Sequence, residues 1–321
     1  MLFLNYIITN FKKNSIWFRL LFILCILIII ILIINETRPI KEGFSFTKEF
    51  TEKTDNNIFD EFYTSVYDSL VYSGFKNEYE IGQIINNTSP TSNSIILDVG
   101  SGTGHHVNAF KNKGYNVSGI DKSTYMIKIA RENFPDAKFI EGDFMKPMSF
   151  NYNEFTHITC LYFTLYYIKN KQQFFDNCYA WLKPGGYFII HLVNKDLFDP
   201  IIPAGSPFVI VNPQKYAKER ITTSNVAFDT FTYKAHFDPK SENNSSIYNS
   251  SIYPNDVKIF MEVFKDKKTG NIRQNKHKFY MESQKQILQM LKSTGFMEIA
   301  QIDMKNCQYD NQYLYILQKP S

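Results

Sequence analysis

The chain has 321 residues, of which 44% are hydrophobic and 21% are charged, and its formal net charge is +4. This size and composition fit a globular protein of one large domain or two small ones. Lys and Arg are scattered and form no basic stripe, which argues against a nucleic-acid partner. The four cysteines form no CxxC pair. We therefore expect neither a disulfide framework nor a metal site.

Residues 1–36 are predicted to form an N-terminal tail and a transmembrane anchor. Residues 16–34 are nearly all apolar, and about 20 such residues span a bilayer as a helix. Trp17 and Phe18 suit the membrane interface, and Arg19 can extend its charge to water there. A cleaved signal peptide is the alternative, but no small-residue cleavage site follows the apolar run. We expect residues 16–34 to contact the lipid bilayer as a single span.

The side of the membrane that holds the rest of the chain is a separate prediction. Lys12, Lys13 and Arg19 give a small positive-inside bias toward a cytoplasmic N-terminus, which by itself would place the globular part on the opposite side of the membrane. Free cysteines favour a reducing compartment for the globular part. We favour a single-pass membrane protein whose globular domain faces the cytosol. The polar residues 37–57 are predicted to form a linker.

Residues 58–200 show helices and strands in alternation. Helices are predicted at 58–72, 77–86, 105–113, 122–133 and 171–182, and strands at 95–99, 116–120, 138–141, 155–161 and 187–193. Such alternation predicts a parallel sheet with helices on both faces.

Residues 200–280 break this rhythm. Antiparallel strands are predicted at 209–211, 226–236, 258–264 and 276–280, with a Ser- and Asn-rich loop among them. A helix at 283–293 and strands at 297–302 and 313–318 then resume the earlier pattern. We interpret 200–280 as a small β insertion that covers an open cleft as a substrate lid.

The strongest local signal is IILDVGSGTG at residues 95–104. A buried strand is followed by Asp98 and by glycines at 100, 102 and 104. Glycine lets the backbone turn sharply and lets a ligand approach closely. A strand that enters such a loop and then a helix forms the nucleotide site of doubly wound folds. The spacing is neither GxGxxG nor that of a P-loop, which disfavours an NAD-binding oxidoreductase.

Two further acids stand at the ends of the next two predicted strands. Asp121 can accept hydrogen bonds from two ribose hydroxyls, as acids do about 20 residues after the glycines of dinucleotide folds. The carboxylate of Asp143 can accept from an adenine amine. Because the carboxyl ends of parallel strands form the ligand-binding edge, the three acids together favour a nucleotide-type cofactor.

Residues 63–192 resemble the class I S-adenosyl-L-methionine (SAM)-dependent methyltransferases. LDVGSGTG resembles motif I, GIDKSTYMIKIA motif II, EGDF the adenine-contact motif, and WLKPGGYFIIH the closing helix–strand unit. The resemblance implies an α/β fold with a Rossmann-like seven-stranded sheet, helices on both faces, an antiparallel insertion after the fifth strand, and SAM as cofactor. The pattern is most similar to small-molecule enzymes, including amino-sugar N,N-dimethyltransferases. Residues 58–321 are therefore expected to methylate a small-molecule acceptor, with N-methylation favoured slightly over O-methylation.

The same resemblance assigns the cofactor site. Asp98 would act near the methionyl amino group, Asp121 on the ribose and Asp143 on the adenine. Tyr63 and Tyr67 match a lid helix that closes over SAM in many relatives. The expected cofactor-binding residues are Tyr63, Tyr67, Asp98, Gly100, Ser101, Gly102, Gly104, Asp121, Lys122, Met126, Gly142, Asp143, Phe144 and Leu161.

Three residues are candidates for catalysis. Methyl transfer needs in-line placement, and an amine or hydroxyl acceptor must lose a proton. His191, at the end of the fifth strand, is the first candidate for the base, and His277 on the insertion is the second. Tyr166 and its neighbour Tyr167 are expected to line the substrate pocket or to fill the core, and each histidine could be structural. His105 and His106 are expected only to pack or to face water.

Two alternative functions remain open. A lipid or quinone acceptor would suit an active site beside a bilayer. A catalytically inactive SAM-fold scaffold would usually have lost a glycine or an acid from its cofactor loops, and this chain keeps them. The insertion and the lid helix, where the resemblance is weakest, are expected to form the pocket that selects the acceptor.

Overall fold

The computed structural model describes residues 50–202, 213–238 and 256–321 and, nearer the N-terminus, residues 15, 17, 20, 21, 24, 25 and 27. The chain divides into two compact units, Met1–Ser45 and Phe46–Ser321. Across these described positions, no helix is long and apolar enough to cross a membrane. Most of the predicted span at 16–34 and the predicted strand at 209–211 lie outside the described residues.

The described part of the second unit consists of strands and helices with the following bounds. The strands are β1 (Phe50–Thr54), β2 (Ile95–Val99), β3 (Asn116–Asp121), β4 (Lys138–Glu141), β5 (Phe155–Cys160), β6 (Leu182–Val193), β7 (Thr223–Ala227), β8 (Phe231–Asp238), β9 (Val257–Asp266), β10 (Ile272–Tyr280), β11 (Met297–Asp303) and β12 (Gln312–Gln318). The α-helices are α1 (Glu61–Val71), α2 (Gly74–Thr88), α3 (His105–Asn112), α4 (Thr124–Asn133), α5 (Thr164–Tyr167), α6 (Lys171–Trp181) and α7 (Gln284–Thr294).

Seven strands form the larger sheet, in the order β11-β12-β6-β5-β2-β3-β4. Strands β2 to β6 are parallel, and β12 runs antiparallel to both of its neighbours. The apolar run of β2 explains its central place, because Ile96, Leu97 and Val99 are fully buried there. The predicted Rossmann-like sheet of seven strands is confirmed.

The smaller sheet has five strands in the order β1-β10-β9-β8-β7. Strands β7 to β10 are antiparallel, as expected for the insertion. The single strand predicted at 226–236 is two strands, because the chain reverses after Ala227 and the Phe228 N–H donates to the Phe231 carbonyl. Alternate residues of β8 are buried, which gives this sheet one apolar face.

The predicted linker at 37–57 needs a correction. Residues Phe50–Thr54 form β1, which pairs in parallel with β10 from Phe50 opposite Ile272 to Thr54 opposite Lys276. The sequence FTEKT has no apolar alternation, so it carries no strand signal of its own. Main-chain hydrogen bonds to the free edge of β10 define this strand instead.

Arg273 of β10 fastens this N-terminal segment to the sheet. Its Nη1 donates to both carboxylate oxygens of Asp60, at 2.8 and 2.9 Å, and its Nη2 donates to the Ile58 carbonyl. Asp60 also caps α1 by accepting from the Tyr63 N–H. Because the Arg273 side chain is largely buried, loss of this cation would leave several acceptors unpaired.

We expect Arg273→Ala to lower the free energy of unfolding by about 3 kcal/mol, as for other buried ion pairs that lose one partner. Urea unfolding monitored by circular dichroism measures this change. Lys53→Ala is the matched control, since Lys53 reaches the same Asp60 at 3.6 Å from a more exposed position and should cost about 0.5 kcal/mol or less. Equal losses in the two variants would contradict this account of Arg273.

Candidate cofactor and acceptor site

A cavity of about 580 Å³ lies between the carboxyl edge of the larger sheet and the apolar face of the smaller one. Asp98, Asp121 and Asp143 line it from the first side. Glu262 and His277 line it from the second. A ligand in this cavity therefore contacts both the nucleotide-binding edge and the insertion.

The glycine loop after β2 is folded back on β3. The N–H groups of Gly100 and Ser101 both donate to the Ile120 carbonyl, at 2.8 and 3.1 Å. Gly100 and Gly102 have φ angles of +68° and +52°, which favour glycine. A Cβ on Gly102 would meet no atom within 4 Å. The loop thus keeps its backbone open toward the cavity at Gly102.

Asp121 holds this loop in place. Its Oδ2 accepts from the Gly102 N–H at 3.0 Å, and its Oδ1 accepts from the Ser123 N–H at 2.8 Å. Burial raises the pKa of Asp121, and these backbone hydrogen bonds partly offset the rise. The carboxylate lines the cavity, so it can accept further hydrogen bonds from a ligand there.

Asp98 and Asp143 lie at the ends of β2 and β4. Asp98 is buried and accepts from the Thr159 hydroxyl at 2.6 Å. Burial raises its pKa, and the charge of His106 acts against that rise. Asp143 accepts from the Met145 N–H at 3.0 Å and lies 3.3 Å from the ammonium of Lys122.

Most of the predicted cofactor residues meet in this cavity. Those that line it are Tyr63, Tyr67, Asp98, Gly100, Ser101, Gly102, Asp121, Lys122, Met126, Asp143, Phe144 and Leu161. Gly104 and Gly142 are not among the lining residues. Gly104 serves packing instead, since a Cβ there would lie 2.5 Å from the ring of Phe139. At Gly142 a Cβ would lie 3.2 Å from Ile120.

The lining fits the polar groups of SAM. Among the described residues, Nδ2 of Asn77 and Oγ of Ser101 are buried and have no hydrogen-bond partner, and both residues line the cavity. Buried polar atoms without partners are costly unless a ligand or water satisfies them. Together with the strand-end acids and the open backbone at Gly102, they suit an adenosine that carries an amino-acid moiety.

A buried ion network on α2 and α3 was missed from the sequence. Oε1 of Glu80 lies 2.7 Å from the ammonium of Lys76, and Oε2 lies 2.8 Å from Nε2 of His106. Burial alone would raise the pKa of Glu80, but Lys76 and His106 hold it at about 2. His106 therefore has a carboxylate partner at the cavity wall, and so does His105, whose Nε2 lies 2.8 Å from Oδ2 of Asp68. The expectation that both histidines only pack or face water was wrong.

Two of the three catalytic candidates lie outside the cavity lining. His191 is fully buried, its Nδ1 is 3.1 Å from the Tyr162 carbonyl, and burial lowers its pKa to about 4. Tyr166 is fully buried, and its hydroxyl accepts from the Val193 N–H at 2.8 Å. Both side chains therefore pack in the core around β6, which is the alternative role that the sequence left open for them.

The third candidate, His277, lines the cavity and has two hydrogen-bond partners. Its Nδ1 is 2.6 Å from the Tyr167 hydroxyl, and its Nε2 is 2.6 Å from Oε2 of Glu262. Tyr167 is next to Tyr166 on α5, where it lines the cavity. The sequence draws attention to these residues one at a time but carries no signal for their contact, because Tyr167 and His277 are 110 positions apart.

Comparison with known proteins agrees with this site. A family profile described as "Methyltransferase domain" matches residues 97–190. A dTDP-3-amino-3,4,6-trideoxy-alpha-D-glucopyranose N,N-dimethyltransferase of Streptomyces venezuelae is 26% identical over 136 residues, which cover 40% of this chain and 56% of that protein. A demethylmenaquinone methyltransferase of Chlorobaculum tepidum is 34% identical over 109 residues, which cover 34% of this chain and 41% of that protein. The chain spans about half the length of these curated relatives.

The fold has solved counterparts as well. The crystal structure of an S-adenosylmethionine-dependent methyltransferase from Clostridium acetobutylicum matches with a TM-score of 0.57 and 16% identity, over 83% of this chain and 99% of that one. At this identity the likeness concerns the fold. The profile match identifies a methyltransferase domain over β2 to β6, and the residues that line the cavity fit SAM as its cofactor.

Proposed function

We propose that the protein transfers a methyl group from SAM to a small-molecule acceptor, with nitrogen slightly favoured over oxygen as the accepting atom. The observation that carries this proposal is the single cavity in which the glycine loop and strand-end acids face an aromatic wall. SAM supplies an electrophilic methyl group on its sulfonium. The chain has to hold that group, exclude water and orient the acceptor's lone pair along the line of attack.

In this proposal, different residues in the cofactor half of the cavity hold different parts of SAM. Asp121 would hold the ribose, Asp143 the adenine amine, and the loop at Gly100 and Gly102 the methionyl end. Tyr63 and Tyr67 of α1 line the cavity and pack against each other, and Tyr63 is buried and also contacts Phe264. We propose that they form the lid over SAM. Such a lid supports the exclusion of water from the reacting atoms.

The acceptor half is apolar and aromatic. Its wall is formed by residues from the insertion and from the segment after β6, namely Phe198, Ile201, Ile202, Phe237, Phe260 and Phe279. These six residues are uncharged, although Lys169 also lines the cavity and the Arg220 guanidinium lies 4.7 Å from the centre of the Phe198 ring. The wall supports an acceptor with an apolar or aromatic body that carries an amine or a hydroxyl. An aromatic surface also binds a protonated amine well.

Two relatives point to the alternatives for the acceptor. The amino-sugar enzyme of Streptomyces venezuelae supports N-methylation. The demethylmenaquinone enzyme of Chlorobaculum tepidum supports a quinone or lipid acceptor, which the aromatic wall would also suit. A catalytically inactive scaffold is disfavoured because the lining keeps the acids and the open glycine loop.

Membrane attachment is part of the proposal. The described positions Trp17, Leu20, Leu24 and Leu27 are helical, and each exposes at least half of its surface. Exposed apolar residues at helical spacing support a lipid contact. We propose a single-pass anchor at 16–34 with the catalytic domain in the cytosol. Retention of the chain in the membrane pellet after alkaline carbonate washing would support the anchor, and release would contradict it.

Calorimetric titration of the full chain with S-adenosylhomocysteine tests the cofactor step. We expect micromolar affinity or better, and methyl-labelled SAM should then label a small molecule in a fractionated cell extract. A well-folded chain that binds no S-adenosylhomocysteine would contradict the enzyme and favour the scaffold. Binding together with label that appears only on protein would contradict the small-molecule acceptor.

A further inference from the structure

Three side chains of different elements form a hydrogen-bonded chain that starts at the acceptor half of the cavity. Tyr167 of α5 lies 2.6 Å from His277 of β10, which lies 2.6 Å from Glu262 of β9. All three line the cavity. His277 is 2% exposed and Glu262 is 0% exposed, so the inner end of the chain is shielded from water.

The positions of the protons in this hydrogen-bonded triplet follow from the ionisation state of Glu262. Burial alone would raise its pKa, but the charge of His277 and hydrogen bonds from His277, Tyr233 and Asn275 hold the pKa below its usual value. The Tyr233 hydroxyl donates to Oε1 at 2.8 Å, and Asn275 donates to Oε2 at 3.2 Å. An ionised carboxylate only accepts, so Nε2 of His277 carries the proton of the hydrogen bond between them. Nδ1 is then the acceptor of the Tyr167 hydroxyl.

The outer end of the chain is a phenol in an aromatic surround. Burial raises the pKa of Tyr167 well above its ordinary value, and the nearby Tyr67 and Glu262 raise it further. The rings of Phe59, Phe279 and His277 pack around it, with centroids 5.0 to 6.0 Å from its own. Tyr167 therefore stays protonated, and its oxygen keeps a lone pair that can accept a hydrogen bond at the cavity surface.

We propose that Tyr167 contacts the acceptor and passes the acceptor's proton to His277, while Glu262 holds the imidazole in the tautomer that can receive it. This inference rests on the proposed function. As the acceptor's lone pair forms the bond to the methyl carbon, the electron pair of the breaking methyl–sulfur bond stays on sulfur. The acceptor's N–H or O–H proton moves to the Tyr167 oxygen, and the Tyr167 proton moves to Nδ1 of His277. The resulting imidazolium lies against the Glu262 carboxylate.

Within this hydrogen-bonded triplet, Tyr167 is thus the catalytic residue, and His277 and Glu262 act through it. A hydroxyl acceptor or an ammonium that must be deprotonated benefits most, since proton transfer by a positioned group contributes about 10²- to 10⁴-fold to such reactions. The arrangement follows the logic of a nucleophile–histidine–carboxylate triad, with the acceptor as the nucleophile.

Tyr167→Phe in the full chain tests this relay. It should bind S-adenosylhomocysteine within about twofold of wild type, since the cofactor loop is untouched, while kcat falls about 100-fold with KM little changed. The pH dependence of kcat/KM should also change, because the acceptor's proton then has no path to His277. Tyr79→Phe is the matched control, because its hydroxyl donates to the Asp303 carbonyl outside the cavity, and its kcat should be unchanged.

A second readout does not depend on turnover. Nitrogen-15 NMR of the histidines, assigned with His277→Asn, should show a proton on Nε2 of His277 and an acceptor at Nδ1, and Glu262→Gln should disturb that arrangement. A His277 ring protonated on Nδ1, or a Tyr167→Phe variant with wild-type kcat and pH profile, would overturn the relay. If the wild-type protein does not bind S-adenosylhomocysteine, the proposed function is contradicted instead, so the two failures are distinguishable.

Discussion

Asp121→Ala is expected to weaken the binding of S-adenosylhomocysteine by about 100-fold. The carboxylate lies at the cavity surface and also fixes the Gly102 and Ser123 N–H groups. Removal would take away the proposed ribose contact and leave the loop less ordered. Hydrogen bonds to a charged group are worth about 1.5 to 3 kcal/mol each, and each 1.4 kcal/mol changes affinity about tenfold.

Calorimetry of the full chain measures this loss. Asp136→Ala is the matched control, since that carboxylate is 90% exposed and only approaches Lys111 at 3.9 Å, and its affinity should be unchanged. Asp121→Asn should fold as wild type and still bind weakly, because an amide oxygen can accept one of the two backbone hydrogen bonds. Wild-type affinity in a folded Asp121→Ala chain would contradict the role assigned to this carboxylate.

Alanine substitutions at Gly102 and at Gly100 are expected to affect different properties, namely ligand binding at Gly102 and stability at Gly100. At Gly102 the new Cβ meets no protein atom within 4 Å, so the fold bears only the cost of a positive φ, about 1 to 2 kcal/mol. The methyl group would, however, occupy the space where the backbone meets the cofactor. Gly102→Ala should therefore stay folded and lose S-adenosylhomocysteine binding by at least about tenfold.

At Gly100 the same change disturbs the protein itself. A Cβ there would lie 2.3 Å from Cγ2 of Thr164, so overpacking adds about 1 to 3 kcal/mol to the cost of a positive φ. We expect a clear fall in Tm, partly recovered by Thr164→Ala in the double variant. Equal Tm values for the two glycine variants, or undiminished binding by Gly102→Ala, would contradict this distinction.

The sequence predicts the cofactor half of the site because its signals are local. The glycines, Asp98, Asp121 and Asp143 each follow a short apolar strand, and parallel strands bring their carboxyl ends to one edge. The adjacent positions Tyr166 and Tyr167 show where such reasoning stops. They share a short helix, yet one hydroxyl accepts from the Val193 N–H in the core and the other contacts His277.

The acceptor half depends on contacts that no local pattern encodes. Tyr167 and His277 are 110 positions apart in the chain, and only the packing of β10 against α5 brings them together. The same holds for β1, whose polar sequence becomes a strand only because β10 offers a free edge. His191 looked suitable from its place at the end of a strand, but burial in the core removes it from the cavity surface.

The parallel pairing of β1 with β10 has a consequence for shortened versions of the protein. A chain that begins after Thr54 would lack β1. The main-chain groups of Ile272–Lys276 that face β1 would then have no partner, while β10 would stay paired with β9 on its other side. Bare edges of this kind recruit other strands, and proteins that expose them aggregate. Residues before the recognisable methyltransferase motifs are therefore a condition for the solubility of the catalytic domain.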